Sequence, residues 1–203
     1  KAEVAAVVAK LTGKVAEATE PKYAHIKCRG GNGIAKLAYE YKGIHDCAAA
    51  KIVQQGPKFC KFGCLGFGNC TRACPFGAMS MGENGLPVVN KTLCTGCGKC
   101  ASVCPNHVIE LLPVSAKVSI SCSSKDFGAP AMKNCKALCL GCGSCMRNCS
   151  HQEEGAIKII DHLAVVNQDI CHNCDNATCL TKCPTGAINE MIKGSFKKEE
   201  NVG

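Results

Sequence analysis

Cys94, Cys97, Cys100 and Cys104 follow one another at the spacing C-x2-C-x2-C-x3-C, with Pro105 directly after the last. Three thiols two residues apart, on a loop punctuated by Gly96 and Gly98, can meet three irons on one face of a four-iron, four-sulfide cube. The fourth iron then needs a thiolate from elsewhere in the chain. Pro105 fixes its own φ and donates no backbone hydrogen bond, which helps turn the chain away from the site. Structural zinc, the competing use of dense Cys, prefers two well-separated C-x2-C pairs and has no use for a third Cys two residues further on. The chain contains no run of about 18 apolar residues that would cross a bilayer, and its start, Lys1-Ala2-Glu3-Val4, lacks an export signal. The expected compartment is therefore reducing, where dense Cys means metal or redox chemistry and not disulfides.

The run recurs three times. Cys139, Cys142, Cys145 and Cys149 repeat it with Ser150 in place of Pro; Cys60, Cys64, Cys70 and Cys74-Pro75, and Cys171, Cys174, Cys179 and Cys183-Pro184, vary its internal spacing. In the bacterial ferredoxin form of this motif the fourth Cys serves the other cluster of a pair, so four runs predict two units and four 4Fe-4S clusters. The ligand sets expected are Cys60, Cys64 and Cys70 with Cys104; Cys94, Cys97 and Cys100 with Cys74; Cys139, Cys142 and Cys145 with Cys183; and Cys171, Cys174 and Cys179 with Cys149. Between the runs of each unit lies a hairpin signal: Ala78–Met81 and Leu86–Val89 around Gly82-Glu83-Asn84-Gly85, and Ile157–Ile160 and Leu163–Val166 around Asp161-His162. Short helices are expected after Cys70, Cys100, Cys145 and Cys179. The predicted fold is α+β: two tandem two-cluster ferredoxin units over residues 21–113 and 114–190. They are flanked by an amphipathic helix within 1–20 (Val4, Val7, Val8, Leu11) and a mixed-charge tail over 191–203. So little large apolar side chain is present that the clusters must supply much of the core, and the metal-free chain should fold poorly.

Cys28, Cys47, Cys122 and Cys135 are left over, and two readings stay open for them: a fifth cluster, or buried, inert thiols. Cys47-x12-Cys60-x3-Cys64 and Cys122-x12-Cys135-x3-Cys139 have identical spacing, so the duplication extends upstream of the runs. The same alignment places Phe67 where the second half has Cys142. Either Cys60 replaces the missing thiol or the first cluster has only three nearby ligands. The net charge of +8 counts every Cys as neutral. Each four-thiolate cube carries about −2 when oxidised, so the basic excess offsets cofactors and is poor support for a nucleic-acid partner. Gly31-Asn32-Gly33 reads as a tight turn and not a dinucleotide loop, since the third Gly of that fingerprint is absent. His172 is either a solvated loop residue or a hydrogen-bonding neighbour of its cluster. No nucleophile, base or carboxylate-pair arrangement is recognisable, so no catalytic residue is assigned.

Three segments resemble a known family: Gly63-Cys64-Leu65-Gly66-Phe67-Gly68-Asn69-Cys70, Met81-Gly82-Glu83-Asn84-Gly85-Leu86-Pro87-Val88-Val89 and Cys94-Thr95-Gly96-Cys97-Gly98-Lys99-Cys100. Together with the second unit, over roughly residues 20 to 190, they are similar to B subunits of the Rnf complex, the ion-translocating ferredoxin:NAD oxidoreductase of anaerobic bacteria. The resemblance implies an electron-transfer subunit at the cytoplasmic face of the cell membrane, fed by reduced ferredoxin and working with membrane and flavin subunits. It also implies an N-terminal membrane anchor and a further cluster domain ahead of Lys1. Lys58, Lys61 and Lys99 beside the cluster loops are then candidates for docking an acidic ferredoxin, or else ordinary surface lysines. The alternatives are a four-cluster subunit of a molybdenum or hydrogenase-type oxidoreductase, whose outer and inner runs exchange ligands across the whole chain, and a basic zinc protein that binds nucleic acid.

Overall fold

Extended stretches of three to five residues, soon interrupted by turns, make only short strands that each pair with a single neighbour. The computed structural model describes residues 10, 11, 13, 20–172, 174 and 177–191. The tail from Lys197 lies outside them, as does nearly all of the helix expected from Val4 to Leu11. The first half runs β1 (Lys22–Ile26), α1 (Cys47–Ile52), α2 (Asn69–Arg72), β2 (Met79–Met81), β3 (Pro87–Val89), α3 (Lys99–Ser102) and β4 (Ile109–Pro113). The second runs β5 (Val118–Ile120), α4 (Gly128–Asn134), α5 (Ser144–Arg147), β6 (Ile157–Ile160), β7 (Leu163–Val166), α6 (Gln168–Cys171), α7 (Thr178–Thr181) and β8 (Ile188–Glu190).

Both halves follow one α+β plan. An outer antiparallel pair closes each unit, β1 on β4 with Lys22 opposite Pro113, and β5 on β8 with Val118 opposite Glu190. The expected hairpins, β2–β3 and β6–β7, lie between. The second turns at Asp161-His162, both at positive φ (48° and 62°), the geometry that matches strand twist. Helices α2, α3 and α5 each start after a left-handed glycine (Gly68, Gly98, Gly143) and set the third Cys of a run, buried, at their second position. The fourth Cys of each run comes just past the helix end. At four residues these helices cannot stand alone, and tertiary packing must hold them.

The halves meet along a seam. Ser121 Oγ lies 3.4 Å from His25 Nε2, Ser123 Oγ donates to Lys27 O, and Ala35 bridges Cys135 with Lys36 N–H on Asn134 O and Lys136 N–H on Ile34 O. Gly31-Asn32-Gly33 forms the expected tight turn, pinned by Asn32 N–H on Asn84 O. The core is thin in large side chains: Ile157, Val108 and Val118 are the biggest ones fully buried, and Cys and Ala fill much of the rest.

Close backbone approach also fixes the cluster loops. Gly96 sits at φ +71°, where a Cβ would lie 2.5 Å from the carbonyl oxygen of Lys22. Gly96→Ala is expected to cost about 2 kcal/mol or more in denaturant unfolding of the loaded protein. Gly128→Ala, at φ +75° with no foreign atom nearer than 3.8 Å, should cost less; equal costs would show that the contact with Lys22 does not matter.

Candidate metal centres

The loop that starts at Cys94 curls around a small cavity, because Gly96 and Gly98 both take left-handed φ and fold three thiols inward. Cys94, Cys97 and Cys100 line it together with Cys74, from the run upstream. A second small cavity is lined by Cys139, Cys142, Cys145 and Cys183. Cys171, Cys174, Cys179 and Cys149 stand close enough to interact electrostatically with one another. Ser150, which replaces the usual Pro, has its Oγ 3.3 Å from Cys174 Sγ. These three groups have the membership that the exchanged spacing predicts.

The first group differs. One cavity is lined by Cys64, Cys70, Cys104 and Cys47, whereas Cys60 lines a separate cavity. Cys47 opens α1, whose N-cap Asp46 accepts the N–H of Ala49. Asn69 ties this helix to the run: its Oδ1 accepts the N–H of Cys47 and its Nδ2 donates to Asp46 Oδ2. Phe67, which stands where a thiol is missing, packs its ring against Tyr41 (5.1 Å between centroids) and His45 (5.6 Å). The residue that gave up the thiol thus anchors the segment that brings in another. Spacing points only to Cys60 as the replacement, because it cannot show a ligand contributed by an inserted loop. The Asp46 cap before an Ala-rich stretch is the one sequence signal for α1.

Cys60 lies instead with the other three leftover residues, Cys28, Cys122 and Cys135, around a cavity of its own. All 20 Cys are thereby placed around five sites. Among the described residues no three His, Cys, Asp or Glu converge tightly enough for a single metal ion. The thiols stand further apart than a lone tetrahedral ion would draw them, a spacing that suits a multi-iron cube.

Burial dominates the electrostatics. It pushes the thiols of Cys64, Cys122 and Cys179 up to about 12 and those of Cys70 and Cys145 up to about 11, with neighbouring Cys adding to the rise. Cys183 goes the other way: burial raises it, but the N–H groups of Ile188, Thr185 and Ala187 and the Thr185 hydroxyl together outweigh that and lower it. Backbone N–H donors recur at the thiols, among them Ala24 N–H at 3.4 Å from Cys94 Sγ. Such donors stabilise bound thiolates and tune cluster potentials. The half-buried His172 has Nδ1 3.0 Å from Gln168 O, a local bond within its own turn. Of the three candidate docking lysines, Lys58 is not a surface group. It is 7 % exposed, and its Nζ donates to Gly30 O (2.7 Å) and Cys64 O (2.8 Å). Lys61 Nζ donates to Gln54 O and Gly56 O, and Lys99 is exposed.

Comparison with known proteins bears on these sites directly. Two family profiles, each described as a 4Fe-4S dicluster domain, match residues 63–109 and 93–153. The chain is 51% identical over 201 residues to the B subunit of the proton-translocating ferredoxin:NAD(+) oxidoreductase complex of Clostridium ljungdahlii, covering 99% of the chain and 70% of that protein. It is 40% identical to the B subunit of the ion-translocating oxidoreductase complex of Methanosarcina acetivorans, covering 92% of the chain and 69% of the relative. It is 37% identical to the B subunit of the Na(+)-translocating ferredoxin:NAD(+) oxidoreductase complex of Acetobacterium woodii, covering 95% of the chain and 56% of the relative. The cofactors that fit the thiol groups are accordingly 4Fe-4S clusters.

Metal takes the thiolate, so each raised thiol must lose a proton on loading. With pKa values up to about 11 to 12, these thiols stay protonated across neutral pH and protons compete throughout. Apparent cluster affinity, measured by anaerobic chelator competition, should rise with pH from about 6 to about 9; an affinity independent of pH would contradict the assignment of these thiols as ligands.

Proposed function

Since the chain belongs to the family of B subunits of ion-translocating ferredoxin:NAD oxidoreductase complexes, we propose that it carries electrons from reduced ferredoxin toward the membrane and flavin subunits of such a complex, at the cytoplasmic face of the cell membrane. No helix among the described residues is long and apolar enough to cross a bilayer. The observation that carries the reading is the enclosure of separate cavities by four thiols each, drawn from neighbouring segments of the same half. In a four-cluster subunit of the molybdenum or hydrogenase type, outer and inner runs would pair across the chain instead.

The ligand sets we assign are Cys47, Cys64, Cys70 and Cys104; Cys94, Cys97, Cys100 and Cys74; Cys139, Cys142, Cys145 and Cys183; and Cys171, Cys174, Cys179 and Cys149. They divide into the two units, residues 21–113 and 114–190. When bound, a 4Fe-4S cluster supplies reversible one-electron transfer at a potential set by its surroundings. The chain's own part is to hold and surround it. Four thiols fix each cluster, apolar side chains such as Val108, Ile109, Ile120 and Ile188 exclude water, and N–H donors offset the thiolate charge.

Entry is assigned to the Cys94 loop. Cys97 is solvent-exposed there, and the exposed Lys99 lies two residues away on α3, so an acidic donor can approach a thiol of this set closely. Long-range attraction to such a charge speeds encounter and is screened by salt. In the loaded protein, Lys99→Glu is expected to slow reduction by reduced ferredoxin several-fold at low salt, with the difference shrinking at high salt and reduction by dithionite unchanged. Equal ferredoxin rates for both proteins at low salt would refute this docking site, and failure of the wild-type protein to accept any electron from ferredoxin would refute the function.

A further inference from the structure

We propose that the buried Lys58 ammonium sets the reduction potential of the cluster bound through Cys47, Cys64, Cys70 and Cys104, raising it by a charge that no carboxylate cancels. This role rests on the electron-transfer reading above and adds to it a positioning residue that binds no iron. Backbone pairing turns Lys58 inward. It bridges Leu37, with Ala38 N–H on Pro57 O and Phe59 N–H on Lys36 O. Side chains alternate along an extended segment, so Phe59 stands half in solvent while Lys58 reaches into the protein.

The surroundings of the ammonium are unusual for a buried cation. Lys58 Nζ donates to Gly30 O and Cys64 O, and both acceptors are neutral. Among the described residues no carboxylate stands within ion-pair reach of it. A buried charge without a counter-charge is costly. The groups beside it that can carry negative charge are thiols: its charge favours the thiolate of Cys64 and of Cys135. Cys64 ties it to the first ligand set, one carbonyl away from a residue that holds iron.

Duplication supplies an internal comparison. Lys133 stands two residues before Cys135, as Lys58 stands two before Cys60. It lies in the last turn of α4 and is exposed. Water and salt screen a charge placed there, whereas one held out of water is felt across several ångströms. The buried cation is thus a device of the first half alone. One electron takes a four-thiolate cube from about −2 to about −3, with no bond formed or broken. A fixed cation stabilises the more negative form more, which raises the potential.

An EPR-monitored redox titration of the anaerobically loaded protein tests this. Lys58→Met removes the ammonium, Lys58→Gln removes the charge but keeps amide donors for the two carbonyls, and Lys133→Met removes the exposed counterpart. At the potential where the wild-type centre is half reduced, both Lys58 variants should show a reduced-to-oxidised ratio about tenfold lower, a downward shift of about 59 mV. The rest of the titration, and all of it in Lys133→Met, should overlay the wild-type curve. Where Lys58→Met does not load iron, Lys58→Gln gives the answer. Unchanged midpoints in a Lys58→Gln protein that keeps its iron would overturn the role and leave Lys58 a structural tie. A shift of every centre alike, or loss of iron from both Lys58 variants, would overturn it too. A wild-type protein with no reducible iron-sulfur signal would overturn the electron-transfer reading and this role with it.

Discussion

The fold depends on thiols that converge on volumes no side chain fills. Each half has only short two-stranded sheets and helices of four to seven residues, too little regular structure to fold without tertiary support. Around the cavities, Cys takes the place that large aliphatic residues hold in an ordinary core. In the ligand sets proposed above, inorganic clusters would cross-link segments distant in sequence, such as Cys74 with the Cys94 loop and Cys149 with the Cys171 segment. Cofactor binding and folding are therefore one process, and burial of the thiols, which favours their protonated forms, sets what that process must overcome.

Duplication explains the architecture, and its one breach explains the first site. The second half keeps all four thiols of its leading run, whereas in the first half Phe67 occupies one of those places. An aromatic ring there cannot bind iron, yet it packs on Tyr41 and His45 and so holds down the loop that presents Cys47. The Asn69 contacts with Cys47 and Asp46 complete that exchange. With Cys47 at that site, Cys60 lines a separate cavity on the seam with Cys28, Cys122 and Cys135.

Much of this was legible in the sequence because cluster ligation constrains spacing so tightly. The α+β plan, the short helices and the grouping of Cys94, Cys97 and Cys100 with Cys74 follow from the runs, and both hairpins from the apolar stretches and turn residues between them. What spacing could not show was contact between segments far apart in the chain. Equal intervals pair Cys47 with Cys122, but strand position pairs Cys28 with Cys122, since each follows an outer strand of its own half. Lys58 reads as a docking group in sequence and is none in the fold, for the same reason: the seam closes over it and two carbonyls take up its ammonium.

X-ray absorption at the iron and zinc edges of anaerobically isolated protein tests the central claim most directly. Cubes held by thiol quartets predict iron in all-sulfur coordination with a close iron neighbour at every site, and no stoichiometric zinc. Zinc in a four-sulfur shell, with no metal-to-metal scattering and no iron, would contradict it.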